Sequence, residues 1–181
     1  MTDEVKVDVR RSGRTFEAEA VLDLGASAQT VWDTITDYAA LPRFMPGIHA
    51  CHVSERLRQA NGDERLVVEQ KGEFRFLMFA QHMTVLLNIE NQALRMSEAK
   101  AVRFEMGMFS RKAIEVFEGR YDLTVLKDDA QAPRTHLSYT AIIGMCLPPP
   151  PAIGNMAVKQ NLVVQLEAVA REVARRSGRP V

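Results

Sequence analysis

Neither sign of charge is in excess in this chain of 181 residues, where Lys and Arg together number 23 and Asp and Glu together number 23. That balance supplies no global field to draw in nucleic acid or an acidic membrane, leaving only local patches to do so. No nucleic-acid partner is therefore expected. Cysteine is scarce as well: Cys51 and Cys146 are the whole complement, and free thiols are the better reading. Long apolar runs are also missing. The opening "MTDEVKVDVRRSGRTF" carries no apolar segment of the kind a signal peptide needs. The longest apolar stretch, near 137–153, is broken by four consecutive prolines and cannot span a bilayer. The expectation is a soluble, cytoplasmic protein with no transmembrane segment. Repeats, low-complexity tracts, a phosphate-cradling glycine loop, a nucleophile motif and paired inward carboxylates are all lacking. No catalytic residue and no cofactor is assigned on this reading.

What is present suits one domain, residues 1–181, with 46% hydrophobic residues and enough length to bury a core. "TFEAEAVLDL" alternates Phe16, Ala18, Ala20, Leu22 and Leu24 against more polar neighbours, the period of a strand that ends at Gly25. In "SAQTVWDTITDYAAL" the period changes to that of a helix through Val31, Ile35 and Tyr38, with Ser27 as N-cap. Pro42 and Pro46 keep this region short by disfavouring helical geometry at Leu41 and Met45. From 48 to 143 the pattern is strand-like, punctuated by "ANGDE", "IENQA" and "KDDAQAP", which suits about six antiparallel strands. After the prolines, Leu162, Leu166, Val169 and Val173 make one apolar stripe, flanked by Val163 and Ala170, on a long helix that stops near Gly178. The fold class is α+β: a curved antiparallel sheet of about six or seven strands wrapped around a long C-terminal helix, with short helices after strand one.

Three stretches carry a resemblance. "VWDTITDYAALPRFMPGIHACHVSE", "EGRYDLTVL" and "PPPPAIGNMAVKQNLVVQLEAVAREV" resemble the polyketide cyclase/dehydrase branch of the START-related (SRPBCC) helix-grip superfamily, near the coenzyme Q-binding and ribosome-association toxin proteins. The likeness covers about residues 16 to 175. Its run V-W-x-x-(I/L)-x-D-(Y/F)-x-x-(L/Y)-P-x-F-x-P is characteristic of the fold. The resemblance implies a cavity for isoprenoid quinones, polyketides, sterols or fatty acyl groups, and does not choose among them.

Strand alternation nominates the lining of such a cavity. Phe79, Gln81, Met83, Val85, Leu87 and Ile89 share one face with Leu77; Val102, Phe104 and Met106 turn inward on the next strand. Phe117, Gly119, Tyr121, Leu123 and Val125 follow, then Leu137, Tyr139, Ala141 and Ile143. Gln81, Tyr121 and Tyr139 are the inward polar tips, and an apolar pocket with few convergent polar groups is the usual build of a small-molecule site. Met156 and Gln160 are expected to approach from the first turns of the helix. Phe44 and Met45, apolar residues in a turn, either close the mouth as a lid or cap the small helix against the core. The ligand-binding set is thus Phe79, Gln81, Met83, Phe104, Met106, Tyr121, Tyr139, Met156, Gln160, Phe44 and Met45, and the partner is a hydrophobic small molecule.

"HACH" invites a metal reading through His49, Cys51 and His52, since imidazole and thiolate ligate zinc. Alternation opposes it: His49 and Cys51 fall on one face and His52 on the other, so no metal site is assigned. Arg10, Arg11 and Arg14, with Arg171, Arg175, Arg176 and Arg179, make two basic ends. They either solvate and complement the helix terminus or merge into a macromolecular contact. Three functions remain open on sequence: a carrier of a hydrophobic molecule, a cyclase/dehydratase-like enzyme holding a reactive chain while a tyrosine exchanges a proton, and a ribosome-associated protein. Oligomeric state is not legible.

Overall fold

The computed structural model describes residues 4–76, 79–106 and 113–178, without the side chains of 74–76 and 79. Its order is β1 (Lys6–Ser12), β2 (Thr15–Leu24), α1 (Ala28–Ile35), α2 (Leu41–Phe44), β3 (Ile48–Arg58), β4 (Glu64–Phe76), β5 (Phe79–Gln92), β6 (Met96–Met106), β7 (Ile114–Lys127), β8 (Arg134–Met145) and α3 (Pro151–Arg176). The strands form one antiparallel sheet in the order β1-β2-β8-β7-β6-β5-β4-β3. The sheet curves around α3, giving the expected helix-grip arrangement. No helix among the described residues is long and apolar enough to cross a membrane.

Eight strands exceed the six or seven expected, and the extra one is β1. Val5, Val7 and Val9 alternate with charged residues and pack against the main core. A two-residue turn at Gly13 and Arg14 returns the chain into β2, pairing Ser12 with Thr15. Gly13 has φ 59°, the left-handed region that glycine enters without steric cost.

The alternation of β2 puts Phe16, Ala18, Ala20, Leu22 and Leu24 at no more than 3% exposure. On β8, Leu137, Tyr139, Ala141 and Ile143 share that face. The α3 stripe Leu162, Leu166, Val169 and Val173 closes over them as one cluster. A second cluster, Tyr38, Leu66, Val68, Leu87 and Ile89, gathers where the segment after α1 lies over β4 and β5.

Ser27 caps α1, its side chain accepting from the Thr30 amide. The helix ends at Ile35, so Tyr38 lies beyond it, in the connection to α2. Leu41 corrects the sequence reading: it is the first residue of α2, because Pro42 occupies the first turn, where a missing N–H leaves no hydrogen bond unmade.

Candidate ligand cavity

The two clusters do not meet completely. Between them lies a cavity of about 240 Å³, bounded by the sheet from β3 to β8, the α1–α2 region and α3. Met83, Val85, Leu87 and Phe104 wall it from β5 and β6; Ile114 and Phe117 wall it from β7. The helix contributes Gln165 and Val169.

The turn after α2 contributes part of its wall. Met45, Pro46, Gly47 and Ile48 lie on the lining beside Gly72 and Glu73 of β4. The Glu73 amide donates to the Gly47 carbonyl at 2.8 Å. Two glycines make that approach possible: a Cβ on Gly72 would collide with the Gly47 carbonyl, and Gly47 has φ +80°. Met45 lies on the lining, whereas Phe44 packs against the main core and is absent from the lining.

The polar groups of the interior form a row across four strands. Register pairs Asn91 with Ser97, Ser97 with Tyr121, and Tyr121 with Tyr139. All four fall on one face because directly paired antiparallel residues point the same way. Asn91, Ser97 and Tyr139 are buried. Tyr38 folds down onto one end of the row, its hydroxyl 3.1 Å from Asn91 Nδ2 and 3.3 Å from Asn91 Oδ1. At the other end the Tyr121 and Tyr139 rings stand 4.6 Å apart, tilted by 39°. Among the described residues neither of these two hydroxyls has a protein hydrogen-bond partner, and both rings line the cavity. Burial holds both well above the ordinary tyrosine range, and for Tyr121 the neighbouring Tyr139 adds to it. They stay protonated and act as donors. Gly119 makes room for this pair: a Cβ there would stand 2.6 Å from the Tyr139 hydroxyl.

Of the residues nominated from sequence, Met83, Phe104, Tyr121, Tyr139 and Met45 lie on the lining. The Phe79 side chain falls outside the described residues, as do Leu77 and Arg179. Gln81 and Met106 face inward but meet each other, the amide Nε2 donating to the thioether at 3.3 Å, away from the cavity lining. Met156 and Gln160 are corrections. Met156 is 55% exposed and Gln160 is exposed, because the buried face of the first turns of α3 runs through Gly154, Ala157 and Val158. The helix reaches the cavity further on, through Gln165.

Two β-bulges correct further assignments. Val102 is 54% exposed, since the register shifts between β5 and β6 beside it and Ala101 takes the inner side instead. At the start of β3 a shift between Ile48 and Ala50 leaves His49 unpaired in the ladder, so His49 and His52 are both exposed while Cys51 turns into the cavity. A bulge inserts one residue and reverses the alternation after it. Val125 is exposed as well, although it continues the regular pairing of β7 with β8 through Thr135. The Cys51 thiol is pushed up to about 11 by burial and stays protonated. Among the described residues no three His, Cys, Asp or Glu side chains are grouped to hold a metal. Sequence reasoning missed Tyr38, Asn91, Ser97, Cys51 and Gln165; Tyr38 was visible only as part of a helical stripe.

The basic ends are occupied. Arg10 pairs with Asp8, Arg14 with Glu115 and Arg171 with Glu167. Arg175 and Arg176 both grip Glu172, at 2.7 and 2.8 Å, and Arg176 reaches Asp37 at 3.0 Å. The last turn of α3 is thereby tied to the segment carrying Tyr38.

A family model described as polyketide cyclase / dehydrase and lipid transport matches residues 24–170. No curated protein matches the sequence. Among solved structures, a START superfamily protein from Mycobacterium smegmatis is similar at 17% identity, TM-score 0.64, covering 90% of this chain and 97% of its own. The Zhui aromatase/cyclase from Streptomyces sp. R1128 is similar at 18% identity, TM-score 0.66, with 90% and 95% covered. A STAR-related lipid transfer protein from Xanthomonas axonopodis is similar at 17% identity, TM-score 0.62, with 94% of each chain covered. At these identities the likeness is one of fold.

Proposed function

The chain belongs to the polyketide cyclase/dehydrase and lipid transport family, and from that premise we propose that it binds a hydrophobic small molecule in the cavity between its sheet and α3. The observation that carries the reading is the pairing of apolar walls with two tyrosine hydroxyls on the lining that no described protein group engages. A hydrogen bond from such a hydroxyl to a bound carbonyl or hydroxyl oxygen adds about 0.5–1.5 kcal/mol. The ligand's apolar body supplies most of the affinity. About 300 Å² of apolar surface removed from water is worth roughly 7 kcal/mol at about 25 cal/mol per Å², so micromolar binding is reached after association costs only with good polar pairing. Met45 and the turn around it cover the mouth.

A binding role fits the chemistry better than catalysis. The tyrosines are held protonated, which makes them fixed donors and poor bases. Similar architecture in an aromatase/cyclase and in a lipid transfer protein supports the fold as a container, and the ligand is a matter for titration.

The test is direct binding by delipidated protein to a panel of quinones, acyl chains and polycyclic aromatics, alongside Met83→Trp. The larger ring fills the cavity, so saturable binding by the wild type and none by a folded Met83→Trp protein is expected. Binding that survives Met83→Trp places the ligand elsewhere.

A further inference from the structure

We infer that the cavity discriminates by charge, accepting neutral ring compounds that carry carbonyl or hydroxyl oxygens and rejecting carboxylates built on the same hydrophobic scaffold. This rests on the cavity being the binding site and narrows what it takes.

The ionisable side chains on the described lining are Tyr38, Cys51, Glu73, Tyr121 and Tyr139, every one of them an acid. Among the described lining residues there is no Lys, Arg or His. Two described cations of β6 and β7 point the other way. Arg120, next in sequence to Tyr121, is exposed and chelates Asp122 at 2.7 and 2.8 Å, and Lys100 pairs with Glu98 and Glu118 on the same outer face. A carboxylate carried inward gives up its hydration and meets no countercharge among the described lining residues.

Neutral oxygens meet the opposite situation. On the lining, Ser97, Tyr121 and Tyr139 offer hydroxyl groups at the spacing of adjacent strands, about 4.8 Å, with Asn91 behind Ser97 in the same row. Its Asn91 end is already bonded to Tyr38, and its Tyr121–Tyr139 end supplies donors to an acceptor. A ligand with one oxygen needs only that end. One with a second oxygen can reach Ser97 along the same line.

The experiment uses a matched series on one scaffold: 2-acetylnaphthalene, 2-naphthol and 2-naphthoate, each displacing the neutral dye Nile red from the delipidated full chain at pH 7.5. The ketone and the alcohol are expected to displace the dye, with naphthoate at least about thirtyfold weaker because its buried charge is unpaired. Gln165→Lys, which adds an ammonium on the helix wall, is expected to bring naphthoate to the level of the ketone; Gln70→Lys on β4 does the same from the opposite wall if the first variant fails to fold. Naphthoate binding within threefold of the ketone in the wild type, with Nile red still excluded by Met83→Trp, overturns the charge selection and leaves the cavity reading standing. Absence of saturable dye binding, or dye binding that Met83→Trp leaves intact, overturns the cavity reading and this inference with it.

Discussion

Replacing Glu172 by Gln tests whether the end of α3 is fastened by charge. Glu172 is buried within the helix's last turns and accepts two hydrogen bonds from Arg175 and one from Arg176, while Arg176 continues to the Asp33 carbonyl and the Asp37 carboxylate. The Arg175 hydrogen bonds, against an opposing contribution from burial and with help from Arg176, draw its carboxyl from 4.5 down to about 2. At about 1.4 kcal/mol per pH unit the ionised form is favoured by about 3 kcal/mol. Arg175 is 68% exposed and screened by water, so about 1 to 2 kcal/mol of stability is the reasonable expectation. Because the folded value lies below the unfolded one, this stability is complete above pH 4.5 and is lost as pH falls through about 2. Circular-dichroism melts of wild type and Glu172→Gln should therefore differ by about 3 to 6 °C at pH 7 for a chain of this size. The gap should close as pH approaches 2. Equal melting temperatures at pH 7, or a gap of the same size at both pH values, refutes the argument.

The cavity gives the remaining expectations. Tyr139→Phe should weaken ligands bearing a carbonyl or hydroxyl by about three- to tenfold, the worth of one hydrogen bond, and leave purely hydrocarbon ligands unchanged in the same titration. Gly119→Ala should push the Tyr139 ring into the cavity, lowering ligand affinity more than thermal stability; a variant that binds as wild type shows that the ring gives way without consequence. Gly47→Ala, at φ +80° and with a Cβ 2.9 Å from the Glu73 carbonyl, should cost on the order of 1–2 kcal/mol in urea unfolding through strain at the mouth.

Local pattern made most of the fold legible. The alternation of Phe16 to Leu24 and the stripe from Leu162 to Val173 are each set by what one element buries, and neither needs a partner's identity to be recognised. Strand β1 escaped because Val5, Val7 and Val9 are interleaved with Lys6, Asp8 and Arg10, so a charged segment hid a half-buried edge. Two of the misplacements share one cause. Val102 and His49 each sit at a register shift, where the extra residue has no place in a two-residue period.

The site was legible by halves, and the missing half is non-local. Tyr121 and Tyr139 could be seen as inward polar tips because each sits on a regularly alternating strand. That they touch depends on β7 and β8 pairing in one register, and their contact fits only because the neighbouring Gly119 has no side chain. Asn91 stood inside "IENQA", a stretch whose composition signals a turn, although β5 runs on through it to Gln92. Only the pairing with Ser97 across β6, and the arrival of Tyr38 from another part of the chain, turn that asparagine into the end of a hydrogen-bonding row. The helix wall was missed for a related reason. The start of α3 was expected to face the cavity, but Gly154 is packed against the Phe16 ring and fixes the rotation of those turns. With that face committed to the core, Met156 and Gln160 go to solvent, and the first polar side chain the helix can offer the cavity is Gln165, near its middle.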